Sequence, residues 1–221
     1  EERLRAAGFG PEAFTAHRGN FAGLPQVLAK EGVAGVDLVL ADLGVSSMQL
    51  DNPARGFTYK ASGPLDMRMN PARGEPVSQF LAHISEAKLA RLIEENADEP
   101  HALVIAAGLK RQPLTTTQEL CRRVRETLIA ARVHLPQDEI ETSIRRTFQA
   151  LRIAVNDEFS ALETFLRHLP ACLKPGGRVA ILTYHSGEDR RVKQAFQSGR
   201  RDGLYSTIAD EVGRASAEEV R

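Results

Sequence analysis

The chain has 221 residues, 42% of them hydrophobic and 26% charged, with Lys plus Arg and Asp plus Glu both totalling 29. That balance suits a globular protein with a real core and excludes disordered and collagen-like readings, while the zero formal charge means that any nucleic-acid surface has to be local. No run approaches the roughly 20 apolar residues that cross a bilayer, and two cysteines with a charged Glu1-to-Arg5 start indicate neither a disulfide framework nor secretion, so a cytoplasmic location is expected.

Taken in chain order, Phe14 to His17 reads as an edge strand, Gly19-Asn20 as a turn and Leu24 to Glu31 as a short helix. Val36 to Ala41 is a short apolar run that stops at Asp42-Leu43-Gly44, the pattern of a parallel strand buried on both faces. From Asn52 to Arg73 the density of Asn, Gly and Pro predicts a structured loop. Ser85 is placed to cap a helix carrying Leu89, Leu92 and Ile93, Pro100 opens another, and the spacing Thr116-x-x-Glu119 predicts a capping box ahead of Leu120, Val124 and Leu128. Phe148, Leu151, Val155, Phe159, Leu162, Leu166 and Leu169 recur every three or four residues and predict one long amphipathic helix. Leu173-Lys174-Pro175-Gly176-Gly177 stops it, Val179 to Leu182 is a second buried strand, and a further helix begins after Ser186. Ser198 to Arg221 is polar and weakly periodic and reads as loosely held. Strand and helix alternate at both ends with helices alone between, which implies a parallel α/β sheet carrying a helical insertion.

In an open α/β sheet, ligands bind beyond the carboxyl ends of the strands. The two strands deliver Asp42-Leu43-Gly44-Val45-Ser46-Ser47 and Thr183-Tyr184-His185-Ser186 to that end, and Gly44 lets the backbone approach a ligand closely. Taken alone, the first is more often a capped strand end or simple turn than a functional loop, and His185 reads as readily as a satisfied surface histidine.

Asp42-Leu43-Gly44-Val45-Ser46-Ser47-Met48-Gln49-Leu50-Asp51, Arg55-Gly56-Phe57, Gly63-Pro64-Leu65-Asp66-Met67-Arg68-Met69, Arg146 to Glu158 and Leu173-Lys174-Pro175-Gly176-Gly177 with His185-Ser186-x-Glu188-Asp189-Arg190 together carry a resemblance. They are similar to the MraW or RsmH family of bacterial 16S ribosomal RNA cytosine methyltransferases. The resemblance implies a Rossmann-like class I methyltransferase sheet with an inserted all-helical domain, residues 1–58 and 145–221 forming the split methyltransferase domain and 59–144 the insertion. It implies S-adenosyl-L-methionine as cofactor, no metal, and as substrate the exocyclic amine of a cytidine in the decoding region of the small ribosomal subunit. Phe21, Asp42 and Gln49 match cofactor-contacting residues, and Gly44 joins them on its own chemistry. His185 and Ser186 are placed to line the acceptor pocket, and Asp42 suits either catalysis or cofactor binding. Arg145, Arg146, Arg152 and Asn156 are the candidate RNA contacts, and oligomeric state is open, a homodimer included.

The chain also departs from the family. The first strand and its Asp-x-Thr-x-Gly-x-Gly-Gly-His cofactor loop have no counterpart, so a truncated start and a short C-terminal end are expected, with weakened cofactor binding. Met48 stands where proline is usual, Gly187 where leucine is usual, and Glu141-Thr142-Ser143-Ile144 where a His-Pro-Ala-Thr-like lead is usual. A non-catalytic RNA-binding or assembly protein is the alternative function.

Cytosine's amine lone pair is delocalised, so an acceptor near its protons helps it pyramidalise, a task that suits Asp42 or the carbonyls of its loop. A base drawn out of its stack needs a flat face, for which Phe57, Tyr59 and Tyr184 are candidates, although core packing is the commoner role for each in a chain without tryptophan. Arg145, Arg146 and Arg152 suit phosphate, whereas Arg190, Arg191 and Lys193 read as a solvated face. Asp66 and Arg68 are placed to pair with each other and brace their loop.

Overall fold

The protein is described by a computed structural model covering residues 2–10, 12–131 and 135–213, and the end of the polar segment after Ser198 lies outside the described residues. In chain order it comprises α1 (Glu2–Ala6), a 3₁₀ turn (Phe21–Gly23), α2 (Leu24–Lys30), β1 (Val36–Asp42), α3 (Ser47–Leu50), a 3₁₀ turn (Pro53–Arg55), α4 (Val77–His83), α5 (Glu86–Ala97), α6 (Ala102–Leu109), α7 (Thr117–Ala130), α8 (Gln137–Asn156), α9 (Glu158–Cys172), β2 (Leu173–Leu182) and α10 (Ser186–Arg201). The class is mixed α/β with a small parallel sheet of β1 and β2. The chain divides into two compact units, the first made of residues 1–41, 161–181 and 190–221 and the second of residues 42–160 and 182–189.

The first unit holds nearly all of the sheet. Lys174 Nζ lies 2.8 Å from Asp37 Oδ2 across the strand pair, and Leu162, Phe165, Leu166, Leu169 and Cys172 are buried along α9. The expectation that both faces of β1 are covered is not met, because Leu38 and Leu40 are 61% and 66% exposed on one of them. Residues 14–17 form no strand: they have no ladder partner, and His17 Nε2 instead lies 3.0 Å from Glu31 Oε1. The helix stop at Leu173 is where the sequence predicts it, but β2 starts there at once and runs through Pro175-Gly176-Gly177.

The second unit is a helical body with one core. Leu89, Ile93, Ile105, Leu120, Val124, Leu128, Ile144 and Leu151 are buried in it, one stripe from each of α5 to α8. Local signals fix the helix starts. Ser85 Oγ accepts from Lys88 N, Thr116 Oγ1 accepts from Glu119 N at 3.2 Å, and Glu119 Oε2 accepts from Thr116 N at 3.1 Å, closing the capping box.

The long helix is in fact two. Asp157 adopts left-handed backbone at φ 51°, ending α8, and α9 begins at Glu158. Apolar spacing carries on across this one-residue joint, so periodicity could not see it; aspartate is among the few residues that enter that conformation at modest cost.

The Asn52-to-Arg73 segment is the structured loop that its breakers predict. Gly56, at φ 74°, accepts a close approach from Pro64 O, which a Cβ would meet at 2.3 Å. Arg55 Nη2 donates to Arg68 O (2.8 Å) and Met69 O (2.9 Å), while Arg68 makes a two-pronged pair with Asp66 (2.7 and 2.8 Å). That pair holds the Asp66 carboxyl below its ordinary range. Leu65 N donates to Thr115 O at 2.8 Å, which ties the loop to the start of α7.

Candidate active site

The second unit gathers the polar ends of both strands. At the end of β1, Asp42 is exposed and Gly44 turns the chain at φ 85°. Ser46 then caps α3 in a capping box whose partner is Gln49: Gln49 Oε1 accepts from Ser46 N at 2.9 Å, and Gln49 N donates to Ser46 Oγ at 3.4 Å. Gln49 therefore holds its loop with its carbonyl oxygen, and its amide nitrogen is not used in that contact.

Beyond β2, Tyr184 reaches back to the first loop. Its hydroxyl donates to Asp42 Oδ1 at 2.6 Å, and a Cβ on Gly44 would stand 3.6 Å from its ring. The hydrogen bond to Asp42 is the main reason that the Tyr184 phenol titrates above its ordinary value, since ionising it would set phenolate against carboxylate. From behind, Tyr184 N donates to Glu188 Oε2 at 2.9 Å.

Beneath this lies a buried charged cluster. Glu188 is 5% exposed, its backbone N–H donates to His185 Nδ1 at 3.4 Å, and its Oε1 stands 3.4 Å from His185 Nε2. That last contact has no hydrogen-bond geometry, which leaves the buried Nε2 unsatisfied. Burial pushes Glu188 up, but His185 and the Tyr184 amide outweigh it and the net shift is downward. Arg152 forks onto Glu158, Nε to Oε1 at 2.8 Å and Nη2 to Oε2 at 2.9 Å, yet burial still drives the Glu158 carboxyl upward, with Glu188 adding to the rise. The Phe159 ring lies 5.9 Å from that of His185, and a side chain at Gly187 would run into it at 2.6 Å, which accounts for glycine at that position. Ser186 Oγ donates to Asp98 Oδ2 at 2.8 Å and is otherwise exposed.

Of the residues singled out from sequence, Asp42, Gly44, Gln49, His185 and Ser186 all fall in this unit, and the Tyr184 bridge joins the two strand ends that carry them. Phe21 falls in the first unit, edge-on to Phe165 at 5.4 Å. The proposed RNA contacts separate by environment. Arg145 is exposed with Nη2 donating to Thr142 Oγ1 (2.8 Å), and Arg146 is partly exposed with Nη1 3.8 Å from buried Glu99 Oε2. Arg152 is committed to Glu158, and Asn156 braces the loop, donating to Met67 O (2.8 Å) and accepting from Met69 N (2.6 Å). Glu188, Glu158 and Glu99 escaped sequence reading. Glu188 stands inside a quoted motif, but no periodicity marks a carboxylate as buried. Among the described residues no group of three or more His, Cys, Asp or Glu side chains is placed to hold a metal ion.

The carboxyl ends of two parallel strands are where open α/β sheets take their ligands, and here those ends carry polar side chains over a buried charge cluster. The sequence profile of the MraW methylase family matches residues 2–208, and the chain belongs to that family. It is 45% identical to "Ribosomal RNA small subunit methyltransferase H 1" of Lachnoclostridium phytofermentans, covering 99% of this chain and 60% of the relative. It is 46% identical to "Ribosomal RNA small subunit methyltransferase H 2" of Alkaliphilus metalliredigens and 45% identical to "Ribosomal RNA small subunit methyltransferase H 1" of Agathobacter rectalis, each over 99% of this chain and 64% of the relative. The chain thus spans somewhat less than two thirds of the length of these curated relatives.

Proposed function

We propose that the protein to which this chain belongs transfers a methyl group from S-adenosyl-L-methionine to the exocyclic amine of a cytidine in the decoding region of 16S ribosomal RNA, acting in the cytoplasm. In this reading residues 1–58 and 145–221 belong to a Rossmann-like methyltransferase domain and residues 59–144 to a helical insertion. The observation that carries it is the joining of the Asp42 loop to the His185 loop at the carboxyl ends of parallel strands, within a chain of the MraW family.

The residues present fit such a cofactor: an exposed carboxylate at Asp42, a left-handed turn at Gly44 that brings backbone close, and the side-chain amide of Gln49. When bound, the cofactor supplies a sulfonium methyl donor potent enough that the protein's task is positioning. The remaining work falls to the chain. Asp42 accepts a hydrogen bond from the cytosine amine, localising its lone pair and stabilising the positive charge that develops there. His185 and Ser186 line the acceptor side, Tyr184 offers a flat face to a base drawn out of its stack, and Arg145 and Arg146 hold flanking phosphates.

Labelled methyl transfer from S-adenosyl-L-methionine to small ribosomal subunits by the full-length protein tests this. Transfer to a single cytidine, lost roughly a hundredfold or more in Asp42→Ala, is the expected result. Undiminished transfer in Asp42→Ala removes the role given to that residue. RNA binding with no transfer by the wild type marks a non-catalytic binding protein instead.

A further inference from the structure

The geometry points to Tyr184 as a positioning residue: its hydroxyl, held over the first loop, fixes the Asp42 carboxylate in the orientation in which its second oxygen meets the ligand. This inference rests on the reading of Asp42 given above, which it deepens. Three observations carry it. The Tyr184 hydroxyl donates to Asp42 Oδ1 at 2.6 Å, so one carboxylate oxygen is committed and the rotation of the other is restricted. The main chain that carries the ring is held, because the tyrosine's own backbone N–H is anchored at 2.9 Å on Glu188, a carboxylate buried to 5% exposure. The ring lies against the first loop, its Cδ2 at the ordinary contact distance of 3.6 Å from where a Cβ at Gly44 would be.

The exposure of Tyr184 excludes a bland account. At 66% exposed the ring fills no core, so packing does not explain an aromatic side chain laid back onto a carboxylate that is itself exposed. An exposed aspartate without such a partner samples several rotamers, and each must be frozen out when a ligand binds. Tyr184 makes that selection in advance, and Glu188 holds the main chain of Tyr184. The positioning chain therefore runs from a buried carboxylate through a backbone amide and a phenol to the site.

Two measurements on the full-length protein test the inference separately from the activity it serves. In the first, Cζ of carbon-13-labelled tyrosine is followed by NMR through alkaline pH, the Tyr184 signal being assigned by its loss in Tyr184→Phe. The Tyr184 phenol is expected to ionise above its ordinary range in the wild type and to move back down in Asp42→Asn. Identical Tyr184 titration in both proteins overturns the contact and the inference with it. In the second, Tyr184→Phe is expected to lower kcat for methyl transfer to small subunits roughly five- to tenfold while KM for the subunit stays within about twofold. Because Phe keeps the ring, a loss confined to KM shows that the hydroxyl serves only binding common to ground and transition states, and no loss at all shows that Asp42 needs no holder; either overturns the inference. A wild type that transfers no methyl group removes the methyltransferase reading and the role together, whereas the contact itself still stands or falls on the titration.

Discussion

Asn156 shows how a single side chain organises a loop. Its Nδ2 donates to Met67 O and Arg152 O, its Oδ1 accepts from Met69 N, and Met67 sits between at a positive φ of 61° that methionine seldom adopts. Asn156→Ala is expected to leave these loop groups without partners and to lower stability by about 2–4 kcal/mol, read as a fall in the urea midpoint at constant m. Asn156→Asp keeps the acceptor and loses both donors, so it recovers only part of the loss. Such residues are hard to read in sequence. Asp66 and Arg68 could be paired in advance because they stand two positions apart in one motif, whereas Asn156 meets Met67 and Met69 across 87 to 89 positions. Tyr184 was legible as an aromatic near the site, but its tie to Asp42 spans 142 positions and depends on how two strand ends are aligned. The buried glutamates were invisible for the same reason, since only the folded chain brings Glu158, Arg152, His185 and Glu188 together.

Elements were legible wherever their determinants are local. The capping boxes at Thr116 and the cap at Ser85 are settled within four residues, and the stripe Leu120, Val124, Leu128 is buried as its spacing predicts. The break at Asp157 lay beyond reach, because one left-handed residue leaves the apolar rhythm almost undisturbed. Close packing of α6 on α7 is likewise a property of the pair. A Cβ at Gly108 would lie 2.0 Å from Thr127 Oγ1 and 2.7 Å from Thr127 Cβ, and Arg123 Nη1 donates to Gly108 O beside it. Gly108→Ala would gain about 1 kcal/mol of helix propensity, but a β-branched neighbour is stiff and overpacking costs about 1–3 kcal/mol. A net destabilisation of about 1–2 kcal/mol is expected by thermal or urea unfolding, with Thr127→Ala recovering part of it; a stabilised Gly108→Ala would show that the two helices separate easily.

At the scale of the whole molecule, stability is distributed unevenly. The second unit closes a continuous apolar core through α5, α6, α7 and α8, while the sheet of the first has two strands, too few for much independent stability. Hydrogen exchange followed by mass spectrometry is expected to find the slowest amides at the centres of α5 to α8 and markedly faster exchange in β1 and β2. Strands that exchange as slowly as those helices would contradict this ordering. The α/β class was legible from element order; the coverage of the sheet was not, because an apolar strand reads the same whether its faces are buried or bare.

Leu38 and Leu40 give that bareness a practical meaning. Two branched hydrocarbons facing outward from an extended segment make a sticky edge, and in concentrated solution such a surface clings to whatever greasy surface it meets, another molecule of the same kind included. The isolated polypeptide is expected to self-associate through that patch, more so in salts that strengthen hydrophobic association, and light scattering with and without Leu38→Ser and Leu40→Ser checks it.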